Sequence, residues 1–389
     1  MSTGERWRLG HRPALDGLRG VAVLLVLVGH SGAPVLGAAG AIGVGVFFTL
    51  SGFLITSLLL DEHGRSGRVS LRRFAGRRAV RLFPALVFLV VVLVLLSPVV
   101  STVEGRTLPV VLLYLSNWGL IAGVPLDGLA HTWSLSIEEQ FYLLWPLTFL
   151  ALARWGRRGV LVGASLGAAL SAALTPLLWS SVADNARVYA GSDTRARDLL
   201  IGCALAAWLA GRSERSPRLA SAALVACCGL SLLPSGWWLY VFGGTITSGV
   251  AAVGIWSAAQ GPAGWLGSRG LVYVGKRSYA MYLWHFPASW WIDAHRPEWA
   301  WPAQAVIVVA VAVVMAEVSW RLVERPAKRW ASGRGGEPGG VEAGHLRTGQ
   351  SASDEADVIV LPRKVVGAAT ASEAEHARSR GVDAGVDRL

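Results

Sequence analysis

The chain has 389 residues, 53% of them hydrophobic and only 16% charged, where an ordinary soluble domain carries about 25% charge. A mean hydropathy of +0.47 with long apolar runs excludes a string of soluble domains and makes lipid the main solvent. The three cysteines, Cys203, Cys227 and Cys228, all lie in apolar stretches, which excludes a disulfide scaffold or a cysteine zinc cluster. The formal charge is +11, and its placement carries more information than its size.

A spanning helix needs roughly 17–25 mostly apolar residues. The sequence predicts such segments at 16–36, 40–60, 82–102, 108–126, 133–153, 159–179, 196–211, 219–235, 238–258, 277–292 and 301–321. No cleavable signal peptide is expected, because the first segment lacks a short apolar region with a small-residue cleavage pattern and runs straight into the second.

The first span holds Asp16, Arg19 and His30. Ionisable residues inside a span are functional candidates by default. Arg19 and His30 are 11 residues apart, which on a helix puts them within roughly 20° of one face and about 16 Å apart along the axis. One face thus offers a cation near one mouth and a titratable base further in. The second span contains Gly40, Gly43, Gly45, Ser51 and Gly52. The glycines suit close approach of a helix or a ligand, and Ser51 is a hydrogen-bonding group for a site.

The next segment carries seven arginines from Arg65 to Arg81 and no lysine. Arg73, Arg77 and Arg81 recur every four residues, so on a helix they form one basic stripe; Pro84 is expected to open the span that follows. Two readings stand for the stripe: a topology determinant touching anionic headgroups, or a bidentate clamp for the phosphates of a nucleotide-like ligand. The string HTWSLSIEEQFYLLWP places Glu138 and Glu139 at the head of an apolar helix, just after His131, Trp133, Ser134 and Ser136. Glu138 is a candidate to orient the His30 imidazole, as a carboxylate does in a base–orienter pair. Further on, Asp193, Arg195, Arg197 and Asp198 cluster at a helix end, His285 lies inside an apolar span among aromatics, and Glu324 sits among basic residues. The histidines lack ligand spacing on one helix, so no metal is expected.

Residues 331–389 hold seven Lys/Arg and nine Asp/Glu, and their Gly, Ala, Ser and charge content predicts a disordered polar tail on the cytoplasmic side. The residues before it, 1–330, keep 29 of the basic and 16 of the acidic side chains. Those arginines sit in short loops between apolar runs, a pattern that fits the positive-inside rule and not nucleic-acid binding. With ten spans, 24 of the 29 face the cytoplasm, leaving Arg106, Arg187, Arg195, Arg197 and Arg296 outside. With eleven, the later basic clusters all turn outward. The expected fold is therefore all-α: a polytopic bundle of about ten spans with both termini cytoplasmic. Segment 108–126, which contains Pro109, Asn117, Trp118 and Gly119, is expected to be re-entrant or interfacial.

Seven strings in order, RPALDGLRGVAVLLVLVGH, VGVFFTLSGFLIT, FAGRRAVRLFPAL, HTWSLSIEEQFYLLWPL, DTRARDLLIGCALA, SYAMYLWHFP and VERPAKRW, resemble the acyltransferase type 3 family of integral membrane O-acyltransferases. The resemblance covers about residues 12–330. It implies about ten spans in a bacterial inner membrane and a cytoplasmic acyl-CoA donor, usually acetyl-CoA. It also implies a hydroxyl acceptor on an envelope carbohydrate or lipid-linked glycan. The family's arginine, ten residues and histidine fall on Arg19 and His30. Its arginine pair spaced by three falls on Arg78 and Arg81, which Arg77 would assist, and its acids fall on Glu138 and Glu324. The tail is expected to be too short and polar for the extracytoplasmic hydrolase-like domain that some members carry. Two alternatives stay open: acylation of a small secreted metabolite such as a macrolide, and a transporter without acyl chemistry.

Overall fold

The computed structural model describes residues 10–33, 36–97, 105–181, 185–210, 212, 219–233 and 236–333. The predicted tail from residue 334 onward and the basic residues Arg6, Arg8, Arg215 and Arg218 lie outside the described residues. All the regular elements among the described residues are helices.

Helix α1 (Pro13–Gly29) opens on a proline, the residue best suited to a position whose N–H needs no helical partner. Helix α2 (Gly37–Ser66) closes on Gly67 at φ 66°, whose N–H bonds the His63 carbonyl, as a left-handed C-terminal residue should. Helix α3 (Leu71–Leu96) begins at Ser70, whose hydroxyl accepts from the Arg73 N–H. That cap starts the helix well before the apolar run. Arg72 to Arg81 therefore form the opening turns of α3, and Pro84 sits inside the helix instead of opening it.

Segment 108–126 does not form one long helix. It divides into α4 (Thr107–Leu112) and α5 (Ser116–Ile121), with Tyr114 between them at φ 54°. Each has six residues, about 9 Å of helix, against the roughly 30 Å of a hydrocarbon core.

The remaining elements are α6 (Thr132–Ala153), α7 (Gly156–Leu177), α8 (Ala186–Ala190), α9 (Ser192–Leu209), α10 (Ala220–Ser231), α11 (Gly244–Gln260), α12 (Arg269–His295), α13 (Trp301–Ser319) and α14 (Arg325–Gly333). Single π turns, Leu239–Gly243 and Trp320–Glu324, lead into α11 and α14. Among the described residues, five stretches are long and apolar enough to cross a membrane: α2, α3, α7, Leu239–Gln260 and Trp301–Ala331. The other long helices, α1, α6, α9 and α12, are shorter or more polar, and they carry most of the site residues.

Helix α1 packs between α2 and α12, and α2 packs against α9 and α11. Several crossings bring backbone onto backbone, among them α2 with α9 and α1 with α12. A Cβ on Gly52 of α2 would overlap the Leu199 carbonyl of α9, and one on Gly202 of α9 would overlap the Thr49 carbonyl of α2. Gly20 of α1 faces the Leu271 carbonyl, and Gly275 of α12 faces the Asp16 carbonyl. Small residues allow such approach in lipid, where packing and interhelical polar contacts must replace the hydrophobic drive.

Candidate active site

Four helices, α1, α2, α6 and α12, line a partly open pocket. Its walls include Arg19 from α1, Phe48 and Ser51 from α2, Glu138 from α6, and Tyr279 and Tyr282 from α12. Two of the residues singled out from the sequence, Arg19 and Glu138, therefore share one chamber.

Glu138 does not hold the His30 ring. Its carboxylate accepts from the Ser51 hydroxyl and, at 2.5 Å, from the Tyr142 hydroxyl one turn along α6. Behind it, the Arg78 guanidinium lies over the Tyr142 ring, 3.1 Å from its centroid. Arg78 also pairs with Glu139 at 3.4 Å. Arg81 acts electrostatically on the same Glu139. Arg77 is half-buried, with its Nε away from any partner. Among the basic residues of α3, Arg78 thus turns inward to the acids of α6. Glu324, buried in the π turn before α14, accepts from Ser319 at 3.2 Å and is within electrostatic reach of Tyr279.

His30 lies in a different layer. It terminates α1, and its Nδ1 is 2.9 Å from the Val26 carbonyl. A carbonyl can only accept, so Nδ1 carries the proton and Nε2 keeps its lone pair. The His30 carbonyl in turn accepts from Ser289 of α12 at 2.6 Å. The ring of His285 lies 5.1 Å from that of His30, and His131 lies 5.6 Å from His285. Phe286 stacks on His131 and meets His30 edge-on. His131 and His285 are buried, with both ring nitrogens of His131 and Nε2 of His285 unbonded. The carboxylate whose charge reaches His30 is Asp293, one turn beyond Ser289. Gly40 makes room for this cluster, since a Cβ there would press on the His30 ring at 3.0 Å.

Tyr282 joins the two layers. Its hydroxyl bonds Ser134 at 2.6 Å and the His131 carbonyl at 3.0 Å, while its ring flanks His131 and His285 at 5.5 and 5.2 Å. His131 and Glu138 are seven residues apart on one helical path, or about 10 Å. The arrangement is a chamber lined by a cation, a carboxylate and hydroxyls, with a cluster of three imidazoles on the other side of Tyr282. Among the described residues no group of three or more His, Cys, Asp or Glu is arranged to hold a metal ion.

A family model described as an acyltransferase domain (Acyl_transf_3) matches residues 12–320. The chain belongs to this acyltransferase family. It is 34% identical over 347 residues to O-acetyltransferase OatA of Staphylococcus aureus (strain NCTC 8325), an alignment covering 82% of this chain and 57% of the relative. It is 33% identical over 367 residues to peptidoglycan O-acetyltransferase OatA of Listeria monocytogenes, covering 85% of this chain and 58% of the relative. The chain therefore spans less than three fifths of the length of these two relatives. No solved structure matches it.

Of the residues that the sequence of this acyltransferase put forward, Arg19 and Glu138 line one chamber and His30 lies beyond it, and Glu138 meets Ser51 and Tyr142 where the sequence suggested His30. Sequence reasoning noted His131 and His285 separately and overlooked Asp293 and Tyr142. The repeat of histidine beside aromatic residue in HFP, and of hydroxyl and carboxylate one turn apart in EEQFY, were the available signals.

Proposed function

We propose that the chain is an integral membrane O-acetyltransferase of about ten spans with both termini cytoplasmic. It moves an acetyl group from acetyl-CoA, bound at the inner face of a bacterial inner membrane, to a hydroxyl of an envelope glycan. The observation that carries this reading is the chamber of Arg19, Ser51, Glu138 and Tyr282, linked through Tyr282 and His285 to His30, whose Nδ1 bonds the Val26 carbonyl and leaves Nε2 its lone pair. Family membership and the names of the relatives support the reaction class, and the name of the Listeria relative, a peptidoglycan O-acetyltransferase, supports a glycan acceptor.

In this mechanism Arg77, Arg78 and Arg81 bind the donor phosphates, and the thioester reaches the chamber past Arg19. His30 Nε2 takes the proton of the acceptor hydroxyl. The hydroxyl oxygen attacks the thioester carbon, a C–O bond forms, the C–S bond breaks, and CoA leaves as the thiol once protonated. The three imidazoles offer neighbouring stations for that proton. A variant has His30 itself acetylated before the acceptor is.

General-base catalysis contributes about 10²–10⁴ in rate. His30→Ala should therefore lower acceptor-dependent thiol release from acetyl-CoA by that range while the protein still inserts in the membrane. Undiminished transfer by the variant would remove His30 from both versions. A purified protein that moves ligand across vesicles and releases no thiol would favour the transporter reading. Acetylated secreted metabolites with unmodified cell walls would favour a small-molecule acceptor.

A further inference from the structure

The apolar stretch Trp301–Ala331 has 31 residues. That is about 46 Å of helix, against the roughly 30 Å of a hydrocarbon core. The surplus lies at one end. Between Trp301 and Ser319 the one charged residue is Glu317, after which the sequence turns to RLVERPAKRW, carried by the second π turn and α14. Two stripes run along this end. Arg321, Arg325 and Arg329 recur every four residues, and Leu322, Pro326 and Trp330 each follow one of them directly. On a helix, residues four apart share a side, so the basic stripe has an apolar stripe beside it. All six residues are exposed, Leu322 by 67% and Trp330 by 59%.

The nearby carboxylates are already engaged. Glu317 accepts from Arg277 of α12 and from Arg321, each at 2.7 Å, and from Tyr273 at 3.1 Å. Glu324 is buried and faces Ser319. Arg325 and Arg329 make no ion pair among the described residues. Lys328 adds its charge between them, with its ammonium 4.3 Å from the centre of the Trp320 ring. A charged stripe alone would be a solvated face. Here large apolar side chains stand in the open next to it, and the same stretch exposes Val306 and Val314 further back in α13. A soluble phosphate compound would use the arginines and leave Leu322 and Trp330 in water. A lipid uses both stripes: guanidiniums match phosphate oxygens, tryptophan favours the headgroup level, and a basic segment just beyond a span attracts anionic lipid.

We propose that the segment from Arg321 to Trp330 is a binding site for an anionic phospholipid: the phosphodiester lies against Arg325 and Arg329, and an acyl chain runs back along Leu322 toward the valines of α13. The site does not depend on the acyltransferase reading.

The test reconstitutes the full chain in vesicles of equal parts phosphatidylcholine and phosphatidylglycerol, extracts it in a non-ionic detergent, and counts the lipids retained per chain by native mass spectrometry. The native chain should keep phosphatidylglycerol over phosphatidylcholine by about tenfold. Arg325→Gln combined with Arg329→Gln should abolish most of that preference. Arg154→Gln combined with Arg158→Gln removes the same charge from exposed positions between α6 and α7 and should leave it intact. Leu322→Asn combined with Trp330→Asn keeps every arginine and should lower retention several-fold, so the proposal stays testable even where the arginine variant fails to fold. Excess inorganic phosphate should not displace the lipid. No preference in the native chain, an equal fall in the two arginine variants, full retention in the Leu322→Asn, Trp330→Asn variant, or displacement by inorganic phosphate would each overturn the site.

Discussion

Arg78 stands at the point where two demands on one guanidinium meet. In the proposed role of phosphate ligand it would have to face the donor; in this structure it stacks on Tyr142 and pairs with Glu139, both on α6. The pair is partly shielded, so its strength exceeds that of an exposed bridge but is offset by desolvation. If donor phosphates compete with Glu139 for Arg78, Glu139→Gln should tighten acetyl-CoA binding a few-fold, and Arg78→Ala combined with Arg81→Ala should weaken it by about tenfold or more. Titration of the purified protein with acetyl-CoA checks both. A looser donor in Glu139→Gln, with unchanged affinity in the double variant, would confine the α3 arginines to a packing role. Rare charges in apolar spans are conspicuous in a sequence, which is why Arg19, His30 and Glu138 were legible there. Their partners were not. Ser51 and Glu138 are 87 residues apart, and Arg78 and Glu139 are 61 apart, so only tertiary packing decides who meets whom.

At the scale of the helices, glycine placement fixes how closely the elements approach. The α2–α9 crossing has Gly52 and Gly202 reciprocally against carbonyls of the other helix. Because a backbone carbonyl cannot rotate away as a side chain does, Gly202→Val should force the helices apart and cost about 1–3 kcal/mol, as overpacking does. The expected readout is a lower thermal unfolding midpoint in detergent; an unchanged midpoint would mean that the crossing is softer than drawn. Gly249 and Gly270, which face open space, are the matched controls. The sequence pointed to close packing through Gly40, Gly43, Gly45 and Gly52, and it flagged 108–126 as irregular through its proline, asparagine and glycines. It misplaced the start of α3, because the apolar run begins well after Ser70 caps the helix. Hydropathy reports where lipid begins, whereas capping reports where the helix begins, and here the two differ by more than two turns.

For the whole molecule, the split of 108–126 into two short helices bears on orientation. In the proposed ten-span arrangement, where that segment does not cross, the start of α7 with Arg158 lies on the same side as the opening turns of α3. Arg158 is exposed between α6 and the body of α7. In a Cys228→Ala background, Arg158→Cys and Arg68→Cys should react with a membrane-impermeant maleimide only after permeabilisation, while Arg106→Cys and Arg296→Cys should react in intact cells. Labelling of Arg158→Cys in intact cells would restore an eleventh crossing and reverse the later half of the protein.

The separation of Arg19 from His30 along α1, about 16 Å of helix, has a further meaning under the proposed orientation. The donor enters from one side of the hydrocarbon core and its thioester meets the acceptor hydroxyl toward the other, so bond-making and translocation are a single event. Such a reaction is vectorial. The activated acetyl group never exists free on the far side, where no thioester is regenerated, and the free energy of thioester cleavage makes the export one-way without an ion gradient.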